Sequence, residues 1–241
     1  GDPSSEWLLS GNGNFLRRCA DRFPIASACF LAIAINVAAA SFIFTYNLME
    51  SVPQSSQNFF QIVVGVVNAG CFTVGGWIIA WRTLPIAKAL RKIRSNQSPE
   101  ADELRLAMDR SWNLGHLVAI LCVAEWTLAG FAFPVILTIA DIPLIRTGWF
   151  DFISSHVIAG LIAGAYSFLM LTYCALQAWL PRFLLASLDV EQAVEGEDEI
   201  PRLERRIALH QIVAVGMPLL AIAWLVWWGR AENVFAIGIV T

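Results

Sequence analysis

Long apolar runs on both sides of a charged interruption constrain this chain more than any other feature. The interruption extends from residue 81 to 112, and each flanking run reaches about the twenty residues that a helix needs to cross a bilayer. Backbone amides in hydrocarbon must be bonded within their own segment, so such runs predict membrane-spanning helices. Only 15% of the 241 residues are charged, against about 25% in an average soluble domain. The composition therefore indicates a membrane protein.

The apolar runs predict an all-α fold, a polytopic transmembrane helix bundle with five complete spans and the start of a sixth. The spans are expected at about 24–46, 58–80, 113–140, 153–176 and 210–228, and from 233 onward. Residues 1–22 are polar and are interpreted as a cytoplasmic linker, followed by a transmembrane domain over 23–241. The first residue is Gly and the sixth run is short, which suggests a piece of a longer polypeptide.

The two long interruptions, at 81–112 and 177–209, are rich in basic residues. Lys and Arg close to a span remain on the cytoplasmic side, so both interruptions and the N-terminus are expected in the cytoplasm, with the protein in the inner (plasma) membrane. Apolar residues recur at helical spacing within the first interruption, which predicts two short amphipathic helices. We therefore expect two cytoplasmic helical hairpins. The first presents Arg82, Lys88, Arg91, Lys92 and Arg94.

Polar residues inside the predicted spans are the first candidates for a functional site. Glu125 is halfway along the third span, and Asn36 and Asn68 lie at similar depth in the first two. A carboxylate at the bilayer centre costs several kcal/mol unless it is protonated, paired or hydrated, so such residues face the bundle interior. We expect the three to share an interior polar cluster. That cluster either senses a ligand or bonds the helices together, and the second interpretation is the more common.

Small and aromatic residues in the spans have structural explanations. Gly160 and Gly164 form a GxxxG pattern, which suits close packing inside the bundle or a homodimer face; a multi-helix chain favours internal packing. Several tryptophans are expected to anchor the spans at the membrane interface, where Trp is enriched. These are Trp77, Trp81, Trp112, Trp179, Trp224, Trp227 and Trp228.

No cofactor or metal site is predicted. His116, His156 and His210 are on three different spans without metal-ligand spacing, although assembly across helices stays open. The five cysteines are dispersed, without a CxxC pair, and are expected to be reduced and structural. No basic stripe lies on a soluble face, which argues against nucleic acid as a partner.

Four segments resemble membrane modules of bacterial signalling enzymes. RSWNLGHLVAILCVAEWTLAGFAFPVIL (110–137) and SSHVIAGLIAGAYSFLMLTYCALQAWLP (154–181) resemble the membrane module of bacterial receptor-type serine/threonine kinases. The stretches at 83–108 and 205–224 are similar to the six-helix anchor of bacterial class III adenylate cyclases. The resemblance implies a module that tethers, and regulates, a cytoplasmic catalytic domain of the same polypeptide.

The sequence itself carries no catalytic residues: kinase motifs and a soluble domain with metal-binding aspartates are absent from it. The favoured function is a membrane-anchoring, signal-transducing module of a receptor-type kinase, with a cyclase anchor as the alternative. A small transporter and a structural subunit of a membrane complex are further alternatives. The expected partners are the lipid bilayer, the attached catalytic domain and a second copy of the chain.

Overall fold

The computed structural model describes residues 15–50, 52–144, 148–188 and 199–227. These parts of the chain are helices and their connections, with no strand among them. The helices are α1 (Phe15–Arg22), α2 (Pro24–Glu50), α3 (Gln57–Arg94), α4 (Ala101–Ile139), α5 (Gly148–Cys174), α6 (Leu180–Leu188) and α7 (Glu199–Trp227). A 3₁₀ turn (Gln54–Ser56) precedes α3, and a π-helical turn (Ala175–Trp179) joins α5 to α6.

Four helices are long and apolar enough to cross a membrane, which fits the predicted all-helical, membrane-spanning fold. They comprise α2, α3, α4 and the continuous stretch Phe152–Ser187 formed by α5 and α6. The predicted fifth span, 210–228, overlaps α7, whose apolar part (Ile207–Leu220) is shorter than the other four. The predicted sixth span lies outside the described residues, as do residues 1–14 of the predicted linker.

The first hairpin differs from the prediction of two separate short helices. Its two halves are extensions of α3 and α4, which run without a break to a turn at 95–100. Pro85 lies inside α3 and removes one backbone donor, yet the helix continues through it. Ile86, Ala89 and Leu90 are buried directly after it, so packing holds the helix together across the lost hydrogen bond. Each spanning helix therefore passes directly into the basic interruption.

The second interruption also continues a spanning helix. The π-helical turn carries α5 into α6 without a loop, while residues 189–198 of this interruption lie outside the described residues. The predicted linker is helical over α1, which packs against α2 and against the π-helical turn. Its Ala20 is buried, and the Ala20 carbonyl accepts a hydrogen bond from Trp179 Nε1 at 3.0 Å.

Trp179 does not anchor the chain in the membrane interface as predicted. Its side chain is fully buried, because α1 covers it and supplies the acceptor for its indole N–H. Trp77 and Trp81 of α3 are exposed at 69% and 56%, as interface anchors would be. The sequence could not separate these cases, since both kinds of Trp follow an apolar run.

The four long helices form a closed arrangement. α2 packs against α3, α3 against α4, α4 against α5, and α5 back against α2, while α7 packs against α5. The tightest pair is α4 with α5. A Cβ added at Gly160 would come within 2.7 Å of the Trp126 Cβ, and one at Gly164 within 2.9 Å of the Ala119 carbonyl oxygen. The GxxxG face therefore packs within the chain, against α4.

An aromatic cluster closes the bundle at the end away from the 95–100 turn. Phe60 of α3 is its centre, with ring centroids of Phe44, Phe133 and Phe152 at 5.7 to 5.9 Å. Each ring comes from a different long helix, and Phe60 is 1% exposed. The cluster seals that end with apolar surface and leaves the polar residues of the spans between it and the basic end.

The close α4–α5 contact predicts a strong effect of one methyl group. Gly160→Ala should lower the free energy of unfolding by about 1 to 3 kcal/mol, because the added Cβ forces Trp126 or the helix backbone to move. Gly70→Ala is the matched control, since no heavy atom lies within 4 Å of a Cβ there. Unfolding of the purified chain in mixed detergent micelles measures both. Equal stability of the two variants would contradict the packing described.

Candidate functional site

A partly enclosed cavity of about 40 Å³ lies among the four long helices, next to the aromatic cluster. We call it the Glu125 cavity. Its polar lining residues are Asn36, Asn68, Cys71, Glu125, Trp126 and His156, and its apolar lining residues are Ala40, Ile43, Phe44, Phe60, Val64, Phe72, Ala129 and Phe133. The three residues predicted to share a polar cluster therefore line one space.

Glu125 points from α4 towards the backbone of α3. Its Oε1 is 2.6 Å from the position that a Cβ at Gly75 would occupy, so the carboxyl fills the room that this glycine leaves. No described residue forms a hydrogen bond or ion pair with the carboxyl. A carboxyl group in such surroundings requires a proton, water or a cation. In the sequence Gly75 was one glycine among several, and nothing linked it to Glu125.

Asn36 is the best-bonded polar group of the cavity. Its Nδ2 donates to the Ala32 carbonyl at 2.8 Å and to Cys122 Sγ at 3.2 Å, while its Oδ1 accepts from Trp126 Nε1 at 2.7 Å. Cys122 Sγ in turn lies 3.8 Å from Ser167 Oγ. These contacts tie α2 to α4 and α4 to α5 in the buried centre of the bundle.

The predicted polar cluster is therefore divided into two parts. Asn36 belongs to the bonded network and reaches neither Glu125 nor Asn68 by a hydrogen bond. Asn68 lines the cavity from α3, and no described residue bonds to its side chain. Asn36 thus fits the interpretation that polar residues bond the helices together, whereas Glu125 and Asn68 present polar groups to the cavity.

His156 of α5 also lines the cavity, although the sequence indicated no partner for it on another span. Its Nδ1 lies 2.7 Å from the Phe152 carbonyl oxygen; a carbonyl only accepts, so Nδ1 carries the hydrogen. The rings of Trp126, Phe133 and Phe152 surround it at 5.4 to 6.0 Å. The imidazole is 3% exposed. Its neighbours come from two helices, so the spacing along one span could not reveal this environment.

The other two histidines meet closer to the basic end. The His116 and His210 rings, on α4 and α7, have centroids 6.2 Å apart, and His210 stacks on Phe168 of α5 at 3.7 Å. Within the described ranges, no three His, Cys, Asp or Glu side chains are grouped so that they could hold a metal ion. The pair therefore packs α7 against the bundle.

The residues of the basic hairpin do not all have the same role. Lys92 pairs with Glu103 across the turn between α3 and α4. Arg94 lies 3.7 Å from Asp21 of α1, and Arg182 of α6 binds the same carboxylate at 2.7 and 2.8 Å. Asp21 therefore joins the end of α3 to the start of α6. We call these three residues the Asp21 clamp.

The volume of the Glu125 cavity limits what it can hold. A site needs roughly 10 to 15 Å³ of this kind of volume for each water, so about three waters fit. Pockets for drug-sized ligands measure about 300 to 1,000 Å³. Glu125 and Asn68 supply the polar partners that such waters need. The cavity is therefore suited to water, a proton or a small ion rather than to an organic ligand.

No protein family, curated protein or solved structure matches this chain.

The Asn36 network predicts energetic coupling between two helices. Asn36→Leu should lower the free energy of unfolding by about 1 to 3 kcal/mol, because it leaves the Trp126 N–H buried without an acceptor. Trp126→Phe removes the donor as well, so the double variant should cost about 0.5 to 1.5 kcal/mol less than the sum of the two single variants.

Asn68→Leu is the control for the loss of an amide from the same cavity. It should cost less than Asn36→Leu, since no described residue bonds to the Asn68 side chain. Unfolding midpoints of all four variants in mixed micelles provide the measurement. Strictly additive costs for Asn36→Leu and Trp126→Phe would show that this hydrogen bond contributes nothing.

Proposed function

We propose that the chain is a multi-pass membrane module that couples the packing around the Glu125 cavity to the arrangement of helices at its basic end. The observation that supports this most directly is the continuity of α3 and α4. Both helices run unbroken from the cavity, where Gly75 meets Glu125, to the pair formed by Lys92 and Glu103. A shift between the two helices at the cavity is therefore transmitted to the turn at 95–100.

The Asp21 clamp gives the basic end a second connection. It holds α1 against the end of α3 and the start of α6 through partly exposed ion pairs. Such pairs contribute about 0.2 to 1 kcal/mol each to stability, so they break more easily than the contacts of the buried core. A movement of α3 relative to α6 then changes the position of α1. If the bundle has two helix arrangements, the Asp21 clamp is the element whose contacts differ between them.

The attached domain is the part of the proposal that rests on resemblance alone. A cytoplasmic kinase domain, or a cyclase domain as the alternative, would receive the movement of α1, of the 95–100 turn or of α6. The coding sequence on either side of this chain tests that part. A transporter for organic solutes has less support, because the cavity is far smaller than such a solute requires.

The charges of the basic end support a cytoplasmic position for it. Arg82, Lys88 and Arg91 lie next to the apolar part of α3, and Lys and Arg in such places remain inside. α1 shares this end, because Asp21 pairs with Arg94. A reactive cysteine introduced at Gln97 should be labelled from the cytoplasmic face of inner-membrane vesicles only. Labelling from the outer face would reverse the proposed orientation.

The coupling is tested by a substitution at the Glu125 cavity whose effect is measured at the Asp21 clamp. Glu125→Gln removes a group that can ionise but keeps its shape, and it should change amide exchange in residues 15–22 and 92–97 by about two- to thirtyfold. Hydrogen exchange with mass spectrometry on the chain in bilayer nanodiscs provides the measurement. Thr127→Val is the control, since among the described residues the Thr127 hydroxyl bonds to the Val123 carbonyl of its own helix and to no other group.

A second variant identifies the connection. Asp21→Asn should raise exchange in residues 15–22 by up to about fivefold and should abolish the response of that segment to Glu125→Gln. High salt should act on the wild-type chain in the same direction, because the clamp is partly exposed. If Glu125→Gln alters exchange only within the middle of α4, the coupling proposal is wrong.

A further inference from the structure

One face of α3 presents an ordered series of exposed side chains at the basic end. Trp77, Trp81, Leu84, Lys88 and Arg91 follow one another at intervals of three or four residues, so they lie in one line along the helix. All five are exposed, and no other described helix covers them. We call this line the α3 stripe. It is a continuous surface rather than a set of scattered residues.

The order of chemistry along this face matches the order of layers in a membrane leaflet. Towards the aromatic cluster, this face of α3 exposes large apolar side chains, with Val66 at 68% and Val74 at 58% exposure; Thr73 between them is exposed too, and its hydroxyl bonds to the Ala69 carbonyl of the same helix. The two tryptophans of the α3 stripe follow, and its two basic residues come last. Acyl chains, interfacial groups and headgroup phosphates succeed one another in the same direction. From Trp81 to Lys88 the helix rises about 10 Å.

Arg82 adds a third positive charge beside the stripe. Its guanidinium lies over the Trp81 ring, 5.3 Å from the centroid, and its Nε is buried without a hydrogen-bond acceptor among the described residues. That Nε is enclosed, so a lipid phosphate would contact the terminal guanidinium nitrogens, which share the same positive charge.

The basic residues of this end divide into two groups by their partners. Lys92 is held by Glu103, and Arg94 is held by Asp21. Arg82, Lys88 and Arg91 form no salt bridge with any described residue, although Lys88 also interacts electrostatically with Glu103. Three positive charges that form no salt bridge with a described residue therefore border an apolar, Trp-lined surface.

We propose that the α3 stripe, together with Arg82, binds an anionic phospholipid. Arg82, Lys88 and Arg91 hold the headgroup phosphate, Trp77 and Trp81 lie at the glycerol level, and an acyl chain follows the apolar face towards Val66. This inference rests on the proposed membrane-spanning arrangement. Each basic residue near an anionic lipid surface strengthens binding by about fivefold, so two of them account for about 25-fold.

The experiment titrates phosphatidylglycerol and phosphatidylcholine into the purified full chain in detergent and counts bound lipids by native mass spectrometry. The wild-type chain should bind phosphatidylglycerol more tightly than phosphatidylcholine. Lys88→Gln with Arg91→Gln should weaken phosphatidylglycerol binding about 25-fold and leave phosphatidylcholine binding unchanged. Arg18→Gln with Arg205→Gln removes two exposed positive charges from α1 and α7 and should leave both lipids unaffected.

Three results would overturn the lipid site. The first is equal affinity of the wild-type chain for the two lipids, and the second is an equal loss of phosphatidylglycerol affinity in the two double variants. The third is binding of glycerol phosphate as tight as that of phosphatidylglycerol, which would show that the acyl chain is not engaged. Reconstitution into phosphatidylcholine vesicles separates this proposal from the membrane proposal. A chain that does not insert there contradicts the spanning arrangement, whereas a chain that inserts without a lipid preference contradicts the α3 stripe alone.

Discussion

The requirement that a backbone in hydrocarbon satisfy its own hydrogen bonds underlies the whole structure. It makes every long apolar run a helix, and it makes a break within such a helix costly. Beyond the apolar run, packing of Ile86, Ala89 and Leu90 carries α3 through Pro85, so it remains one helix from Gln57 to Arg94. Long unbroken helices then connect the centre of the bundle with its basic end, and the proposed coupling depends on that connection.

Apolar surface alone does not align helices in lipid, because lipid tails are as apolar as leucine. The register of this bundle is fixed instead by close approach and by a few polar contacts. Gly160 and Gly164 bring α5 onto α4, and Asn36 joins α2 to Trp126 and Cys122 on α4. Glu125 contributes differently, because its carboxyl rests against Gly75 without a bonding partner among the described residues.

Sequence reasoning predicted the elements of this fold better than their connections. The runs that hydropathy and length identified at 24–46 and 58–80 lie inside α2 and α3, and the run at 113–140 ends one residue beyond α4, because both properties act along one segment. Sequence reasoning did not predict that the hairpin helices would continue the spans, since a proline such as Pro85 breaks most isolated helices. The docking of α1, the burial of Trp179 and the surroundings of His156 depend on residues from other helices, which no spacing along one segment encodes.

α3 brings the cavity, the clamp and the proposed lipid surface onto one rigid element. Gly75 and Arg94 are about 28 Å apart along the helix, and the α3 stripe lies between them on the outward side. A lipid phosphate bound to Lys88 and Arg91 would place negative charge within two turns of Arg94, where it competes with Asp21 for that guanidinium. Anionic lipid should therefore loosen the Asp21 clamp as well as bind α3. In that case the lipid composition of the membrane would determine how firmly the Asp21 clamp is closed before any change at the Glu125 cavity.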